Sequence, residues 1–580
     1  MQKNVKNPIV VRSKRATKVL FFVFVVFFVF FIFTFVKFTV LKEAKGRKID
    51  SSYYTRFINQ QNQQPTRGNI LTSDGHVLAE QSVTYDMYAI LSKSYVGIDN
   101  EPLYVKNVKN TAKQLAKVID MKESDILKRL KPRNKDTYQV EFGNAGKNLS
   151  IAMHNKIEKL KLSGIKFTEN KSRLYPDESL ASNIIGITQN IEDKKDKIMK
   201  MTGVMGIEQS YNKYLSGSND NLTGNDVYLT LNSRLQQILE NQMNSMYDQV
   251  KPKQTVAVIM NAKTGAILAA TQRPNFNGNT KKGIDKAWSN LLVQNPYEPG
   301  STMKTITLSA AINEGKWDPN ATFQSGTLKV GGGVVNDAES DLGVISFRKG
   351  YAFSSNVAFS LTEQKLGDNK WLSYIKKFQF LKTTNVGFDD ESAGSINFDS
   401  ELSRVNTSFG QAITVTPAQL LRAYSAEVNG GHMVEPHIVE KVVSSKNKVV
   451  KNVKVSKSKK ILKKSTTKKV ISAMEDVVNM SQATGGFYSL EDEGYKVAAK
   501  TGTAQLAKNG VYTNSYLDST HSVVMIVPAD DPQYIVMSYV MQPKSLIGGY
   551  ADQTQDFLLK PVVLQALADF KSTKTTKKSI

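Results

Sequence analysis

Ser301 and Lys304 stand three residues apart at the head of an apolar segment, in Glu298-Pro-Gly-Ser301-Thr-Met-Lys304 followed by Thr-Ile-Thr-Leu-Ser-Ala-Ala-Ile-Asn. Pro-Gly breaks the chain, so Ser301 is expected to open a helix that runs to Glu314 and is closed by Gly315. Its hydroxyl then sits at the positive end of the helix dipole, and Lys304 lies one turn on along the same face. Burial drives a lysine toward its neutral amine, and a neutral amine can take the proton of a serine hydroxyl. The pair makes an activated nucleophile without histidine. Spacing alone carries little weight, since Ser445 to Lys448 and Ser456 to Lys459 repeat it inside a lysine-rich stretch.

Two further groups share the chemistry of an acyl-transfer site. Ser354-Ser355-Asn356 follows Lys349-Gly-Tyr-Ala-Phe, and Lys500-Thr501-Gly502-Thr503 follows the strand-like Val497-Ala-Ala. Each by itself reads as a helix cap or a turn. The elements that must position all three are legible around them. Thr255 to Met260 and Ala266 to Ala270 flank an Asn261–Gly265 turn as a hairpin, and strands return at 497–504, 521–527 and 534–540. Helices dominate between, and one closes the chain from about Gln555 to Phe570. Strands at both ends with helices between them imply an α+β fold, an antiparallel sheet covered by helices and built from distant parts of the chain.

Composition narrows the class. Cysteine is absent, which removes disulfides, thiolate metal sites, iron–sulfur clusters and thiol nucleophiles, and five histidines make a His-rich metal site unexpected. No metal and no organic cofactor is implied. The 77 Lys and Arg less 52 Asp and Glu give +25, which excludes an acidic disordered tail protein. At roughly 150 residues per domain, 580 residues suggest about three or four folding units.

From Val19 to Val36 the chain is apolar except for Thr34. At 1.5 Å per residue that run spans about 27 Å, near the thickness of a bilayer core, and it predicts a single transmembrane anchor within 19–41. Lys3, Lys6, Arg12, Lys14, Arg15 and Lys18 precede it with no acidic residue. The positive-inside rule then puts residues 1–18 in the cytoplasm as a basic tail and everything after about Leu41 outside. A polar stalk is expected from Lys42 to Gln64. Beyond it, Arg67 to Ala79 reads as a hairpin about Asp74-Gly75, and Lys106 to Leu130 as helical. An elongated α+β pedestal is assigned to 42–240, the chemistry-bearing domain to 250–570, and a basic tail to 571–580.

Taken together and in this order, Ser301-x-x-Lys304, Ser354-x-Asn356 and Lys500-Thr-Gly502 resemble the three motifs of penicillin-recognising acyl-serine enzymes. More narrowly, the exterior chain is similar to class B penicillin-binding proteins, monofunctional D,D-transpeptidases with an amino-terminal pedestal of the dimerisation type. The resemblance extends to Arg67-Gly-x-Ile70, Arg173-x-Tyr-Pro176, Gly206-x-Glu208, Ser408-Phe-Gly-Gln411 and Thr416-Pro-x-Gln419. Glu298 to Lys304 is similar to septal, division-type members of low-GC Gram-positive bacteria.

The resemblance implies a reaction and roles. Ser301 would attack a peptidoglycan stem peptide with Lys304 as base, releasing D-Ala, and β-lactams would acylate the same serine. Ser354 would relay a proton toward the leaving nitrogen, and Asn356 would hold the donor amide and orient Lys304. Lys500, Thr501, Gly502 and Thr503 would receive the terminal carboxylate, and the backbone N–H groups of Ser301 and Thr503 would form the oxyanion hole. Gln505 stands where it either touches substrate or is an exposed edge residue. Implied partners are stem peptides, β-lactams, the bacterial plasma membrane, a polytopic wall glycosyltransferase and other division proteins, with the catalytic domain outside the cell at the septum. A β-lactamase, a β-lactam sensor and a catalytically dispensable division scaffold are the alternatives.

Between Lys446 and Lys469 stand eleven lysines and no acidic residue, interleaved with Val449, Val450, Val453 and Val455. The alternation predicts a β-hairpin with one solvated lysine face, and the lack of interleaved aromatics speaks against nucleic acid. Anionic wall polymers or lipid headgroups suit it better. Trp288, Trp317 and Trp371 are expected in the core or in groove walls.

Overall fold

The computed structural model describes residues 8–39, 43–44, 47–48, 65–97, 101–134, 136–193, 199–217, 222–338, 342–505, 507–508, 511–512 and 515–578. They fall into two compact units, 1–65 and 66–580.

The first unit holds α1 (Pro8–Thr39), which starts well before the expected span. Every described side chain from Val19 to Ile32 is exposed, and Thr34 returns its hydroxyl to Phe30 O at 2.6 Å, which removes a free donor from an apolar surface. Side chains on α1 are described from 18 to 32 and at 34 alone. Among the described residues no helix is long and apolar enough to cross a membrane, so the anchor read over 19–41 has no support there. The expected stalk lies, but for 43–44 and 47–48, outside the described residues.

The second unit opens with β1 (Ile70–Leu71) and β2 (Val77–Ile90), antiparallel across the expected Asp74-Gly75 turn. Two helices, α2 (Val108–Leu115) and α3 (Glu123–Leu130), replace the single one read over 106–130. The bonds Lys117 N to Gln114 O and Val118 N to Leu115 O wind up the end of α2, and both helices bury an apolar face in one small core around Phe142. Strand β3 (Gln139–Glu141) pairs with the end of β2, while β4 (Ile165–Leu174) pairs with β2 from Glu80–Leu174 to Ala89–Ile165. Strand β5 (Asp226–Leu229) then lies parallel to β1.

Next comes α4 (Ser233–Val250), capped by Asn232 Oδ1 accepting from Leu235 N at 3.0 Å. It is continuous through residue 240. The hairpin β6 (Gln254–Asn261) and β7 (Ile267–Arg273) stands where the sequence placed it. After it the chain runs through α5 (Lys304–Asn313), β8 (Gly333–Asn336), α6 (Phe347–Ala352), α7 (Asn356–Leu366) and α8 (Pro417–Val428). Helix α8 carries a reciprocal capping box between Thr416 and Gln419, which explains that pair within the Thr-Pro-x-Gln motif.

The lysine-rich segment supplies only one strand of a hairpin, β10 (Val449–Asn452), whose partner β9 (Val439–Val443) lies before it, so the hairpin read within 446–469 is shifted toward the amino terminus. Sequence did not disclose that β9 pairs with β5, so that the chain returns to the pedestal sheet, in the order β10-β9-β5-β1-β2-β3 with β4 also on β2. Then follow α9 (Lys464–Asn479), β11 (Ala498–Gln505), β12 (Ser519–Val527), β13 (Tyr534–Met541) and α10 (Ala551–Lys578), the last longer at both ends than the helix read over 555–570.

The central sheet is antiparallel throughout, in the order β7-β6-β13-β12-β11. Both its faces are covered, so β12 is buried along its whole length, with an apolar run from Val523 to Val527 after four buried polar residues. One face packs Val258, Val524 and Met537 against Ile306 of α5 and Leu421 of α8. The other packs Ala257, Val523 and Val536 against Leu239 and Met243 of α4 and Leu558 and Val562 of α10. Burying each of these Val, Leu, Ile and Met side chains contributes about 1.5–3 kcal/mol, which stabilises the sheet on whose edge β11 pairs with β12. Trp371 is fully buried, its Nε1 donating to Thr407 Oγ1 at 2.8 Å, and Trp317 packs on Phe347. Trp288, expected in the core or a groove wall, is 56% exposed.

Candidate active site

Four segments converge at the edge strand β11. Ser301 lies in a 3₁₀ turn, Gly300–Met303, and the α-helix proper starts only at Lys304. This corrects the reading of one α-helix from Ser301 to Glu314. The tighter turn follows from what lies around it: Gly300 N donates to Gly410 O at 3.0 Å, and Thr302 Oγ1 donates to Pro299 O at 2.8 Å. Gly300 has φ +55°, and a Cβ there would stand 2.8 Å from Thr503 O, so only glycine lets the nucleophile turn press against β11. Ser301 and Thr503, the two expected oxyanion donors, therefore lie on segments in close contact. Ser301 is 9% exposed, and its hydroxyl makes no hydrogen bond among the described residues.

Lys304 is fully buried. Its Nζ donates to Asn356 Oδ1 at 2.8 Å, to the carbonyl of Ser354, and at 3.3 Å to Ser354 Oγ. Lys500, also fully buried, donates from Nζ to Ser354 Oγ at 2.9 Å and to Thr501 O at 2.9 Å. The Ser354 hydroxyl thus stands between the two amines. Burial, then the neighbouring Lys500 cation, pushes Lys304 well below the ordinary lysine range, opposed by Asp337. Burial lowers Lys500 to about 7, opposed by Asp552. Phe359, Phe409 and Tyr351 wall the two ammonium positions at 5.8–6.0 Å. These walls exclude water and favour the uncharged amine.

Ser354 holds φ +60°, uncommon outside glycine and costing of order 1–3 kcal/mol. Asp337, at the end of β8, fastens the turn that carries it. Its carboxylate accepts from Ser355 Oγ at 2.9 Å, Val357 N at 2.9 Å and Gly326 N at 3.0 Å, while Asn356 Nδ2 donates to Asn336 O at 2.8 Å. Asp337 therefore fastens Ser355, the cap of α7, and the first turn of that helix, while the Asn336 carbonyl beside it orients Asn356 toward Lys304. The sequence reading missed it, since Asn336-Asp337 looks like any polar turn. Thr484 was also missed: it accepts from Thr501 Oγ1 at 2.8 Å and donates to Ala352 O at 3.4 Å, tying β11 to α6. A lone Thr-Gly-Gly offered no signal for it.

On β11, Lys500 and Gly502 are buried, Thr501 is 8% exposed and Thr503 is exposed. A Cβ on Gly502 would stand 2.6 Å from Ser522 Oγ and 3.0 Å from Pro299 O, so its smallness keeps the strand against the nucleophile turn. Gln505 ends the strand half-buried, opposite Ser519, at the edge rather than beside the lysines. Ser301, Lys304, Ser354, Asn356 and Lys500 are thus gathered in one place, Thr501 to Thr503 border it, and Gln505 stands at its margin. The arrangement offers a free hydroxyl, two buried amines of lowered proton affinity and a bridging hydroxyl, a set suited to acyl transfer.

Comparison with known proteins shows the family of the chain. Residues 255–562 match the penicillin-binding protein transpeptidase domain, and residues 62–225 match the penicillin-binding protein dimerisation domain. The chain is 29% identical over 574 residues to stage V sporulation protein D of Bacillus subtilis, covering 93% of this chain and 83% of that protein. It is 26% identical over 420 residues to the peptidoglycan D,D-transpeptidase FtsI of Escherichia coli, covering 68% and 66%. Among solved structures, penicillin-binding protein 2X of Streptococcus thermophilus superposes with a TM-score of 0.70 at 34% identity, covering 87% of this chain and 79% of that one.

Proposed function

This chain belongs to the penicillin-binding protein transpeptidase family and is a peptidoglycan D,D-transpeptidase; on that premise we propose how its residues divide the reaction. Neutral Lys304 takes the proton of Ser301 as Oγ attacks the carbonyl carbon of the penultimate D-Ala of a stem peptide. The oxyanion is held by the N–H groups of Ser301 and Thr503. The C–N bond to the terminal D-Ala breaks, and the proton reaches its nitrogen through Ser354 Oγ. An acceptor amine then attacks the ester, its proton returns to Ser301, and a cross-link replaces the original amide. Lys500, Thr501 and Thr503 receive the terminal carboxylate of the donor, and Asn356 holds the donor amide. The observation that carries this reading is the single hydroxyl, Ser354 Oγ, shared between two buried amines at 2.9 and 3.3 Å beside an uncommitted Ser301.

A hydrolase needs a carboxylate free to activate the deacylating water. Asp337, the carboxylate that acts on Lys304, is engaged by three donors, which favours transfer to an amine over hydrolysis. β-Lactams present a strained amide beside a carboxylate and should acylate Ser301 durably. We further propose a septal role in which α1 anchors the chain in the plasma membrane, with the amino terminus inside and partners that include a polytopic glycosyltransferase. That rests on the apolar run Val19–Val36, the basic residues before it and the resemblance of Glu298 to Lys304 to division-type members of the family.

The test is mass spectrometry of the full chain in non-ionic detergent after penicillin treatment, with Ser301→Ala beside it. A lasting adduct on Ser301 that is absent in the variant is expected. Rapid loss of the adduct would turn the assignment to a β-lactamase, and no adduct would leave a scaffold.

A further inference from the structure

The lysine array between 446 and 469 has no part in the site just described. Ten of its eleven lysines are exposed, and none forms an ion pair with a carboxylate among the described residues. The eleventh, Lys451, lies over Tyr211 and Tyr214 at 4.6 and 5.5 Å. Edge strands often carry lysine to prevent sheet-to-sheet pairing, and β10 is an edge. That need is met by the lysines of the hairpin itself. It leaves Lys454, Lys457, Lys459 and Lys460 unexplained, on a stretch that follows the strand.

Backbone bonds hold this stretch in place. Val453 N donates to Glu440 O at 2.9 Å, Glu435 N to Ser456 O at 3.0 Å, Ser458 N to Met433 O at 2.9 Å and Lys463 N to Asn313 Oδ1 at 2.8 Å. The lysines are therefore displayed on a fixed, extended track, one to three residues apart, or roughly 3–10 Å at the rise of an extended chain. Like charges so close repel one another, and at physiological salt a Debye length of about 8 Å leaves much of that repulsion unscreened. A bound polyanion would relieve it.

We propose that the segment from Lys446 to Lys463 is a docking track for a linear polymer of phosphodiesters. A lipid surface fits less well: Lys457 and Lys459 alternate in sequence parity with Lys454 and Lys460, so the charges leave the extended run on both sides rather than in one plane. The exposed apolar residues beside them, Val449, Val450 and Val455, include no aromatic wedge for a headgroup layer. Nucleic acid is disfavoured by the same lack of stacking partners.

The probe is poly(glycerol phosphate), titrated against the full chain in non-ionic detergent at 50 and 300 mM salt. Vesicles of phosphatidylglycerol and phosphatidylcholine, and a single-stranded oligonucleotide, serve as the competing ligands. Binding that weakens steeply with salt is expected, with affinity for the polymer at least as high as for the oligonucleotide. Replacing Lys446, Lys448, Lys454, Lys457 and Lys459 by Gln should weaken it by at least about tenfold and flatten the salt dependence. The penicillin acylation rate of that variant should match the parent and so report an intact fold. Unchanged polymer binding by the variant, no binding by the parent, or preference for vesicles or oligonucleotide over the polymer would overturn the proposal.

Discussion

Among the described residues, two clusters of buried cations are neutralised in opposite ways. In the pedestal, Arg67 and Arg173 converge on Glu208, with Nε atoms 2.6 and 2.7 Å from its two carboxylate oxygens, and all three residues are buried. Arg67 also donates to Asn212 Oδ1 at 2.7 Å and to Glu208 O at 2.8 Å. At the active site Lys304 and Lys500 meet with no carboxylate bonded to either amine, and both bind protons less readily than a lysine in water. Guanidinium cannot shed its proton in a protein, so an arginine cluster must import an anion; an ammonium can, and burial alone makes it do so. The pedestal uses the first arrangement to fix a fold, and the catalytic domain uses the second to make a base.

The sharpest way to break this contrast is to put the pedestal's solution in the active site. Lys304→Arg keeps a long basic side chain but fixes its positive charge and removes the neutral amine, and acylation by penicillin should fall about 10²–10⁴-fold, the usual contribution of a general base. Stopped-flow acylation rates with the parent at equal folded concentration decide it, and near-parental rates would remove Lys304 as base. The parent's own rate should rise with pH through a limb set jointly by the two coupled lysines, one of which lies at about 7. Stability runs the same way. Between about 7 and 10.5 the unfolded chain holds more protons at Lys500 than the folded one, so the cost of burying it, full below 7, declines as pH rises across that window.

Next in size is the reverse experiment in the pedestal. Glu208→Gln strands two buried guanidinium groups, and a destabilisation of about 3–5 kcal/mol is expected from denaturant unfolding. Acylation per folded molecule should be unchanged, because the triad touches none of the catalytic segments. A slower acylation with unaltered stability would show that the two clusters are coupled after all.

Smaller again is Asp337→Asn, which keeps one acceptor oxygen as a neutral one and turns the other into an amide that no longer accepts from Gly326 N or Val357 N. A loss of about 1 kcal/mol, roughly fivefold in acylation rate, is expected. Asp337 raises the proton affinity of Lys304, so removing its charge should also move the acid limb of the pH profile to lower pH. A merely structural role would lower the rate and leave the limb in place.

How much of this was legible in the sequence follows from the same contrast. Ser301, Lys304, Ser354, Asn356 and Lys500 were found because each belongs to a short local motif, and four of the sheet strands were found as apolar runs between turns, the fifth from the short Val497-Ala-Ala that leads into Lys500. Arg67, Arg173 and Glu208 were visible as motif residues, but nothing local said that they meet, since 106 and 35 residues separate them in turn. Asp337 and Thr484 were invisible for a related reason: each acts across a turn on a motif residue, and a polar residue in a loop carries no period. The 3₁₀ start at Gly300–Met303 depends on Gly410 and Thr503, two contacts that only the folded chain creates.

The smallest expected effect tests whether the lysine solution is general here. Glu427 is fully buried on α8, accepts from Ser309 Oγ at 2.7 Å, and is raised by burial to about 8. It is the acidic counterpart of Lys304, kept uncharged by its surroundings rather than paired. Its folded affinity for the proton exceeds the unfolded one, so its contribution to stability is fully present below 4.5 and is lost as pH rises through about 8. Glu427→Gln keeps the shape and the acceptor for Ser309 without the titration. At pH 5 the variant should unfold within about 1 kcal/mol of the parent, and above pH 8 it should be the more stable of the two. Equal pH dependence in both proteins would mean that Glu427 is ionised in the fold. Burial without a partner anion would then be a property of the two catalytic lysines rather than of the domain that surrounds them.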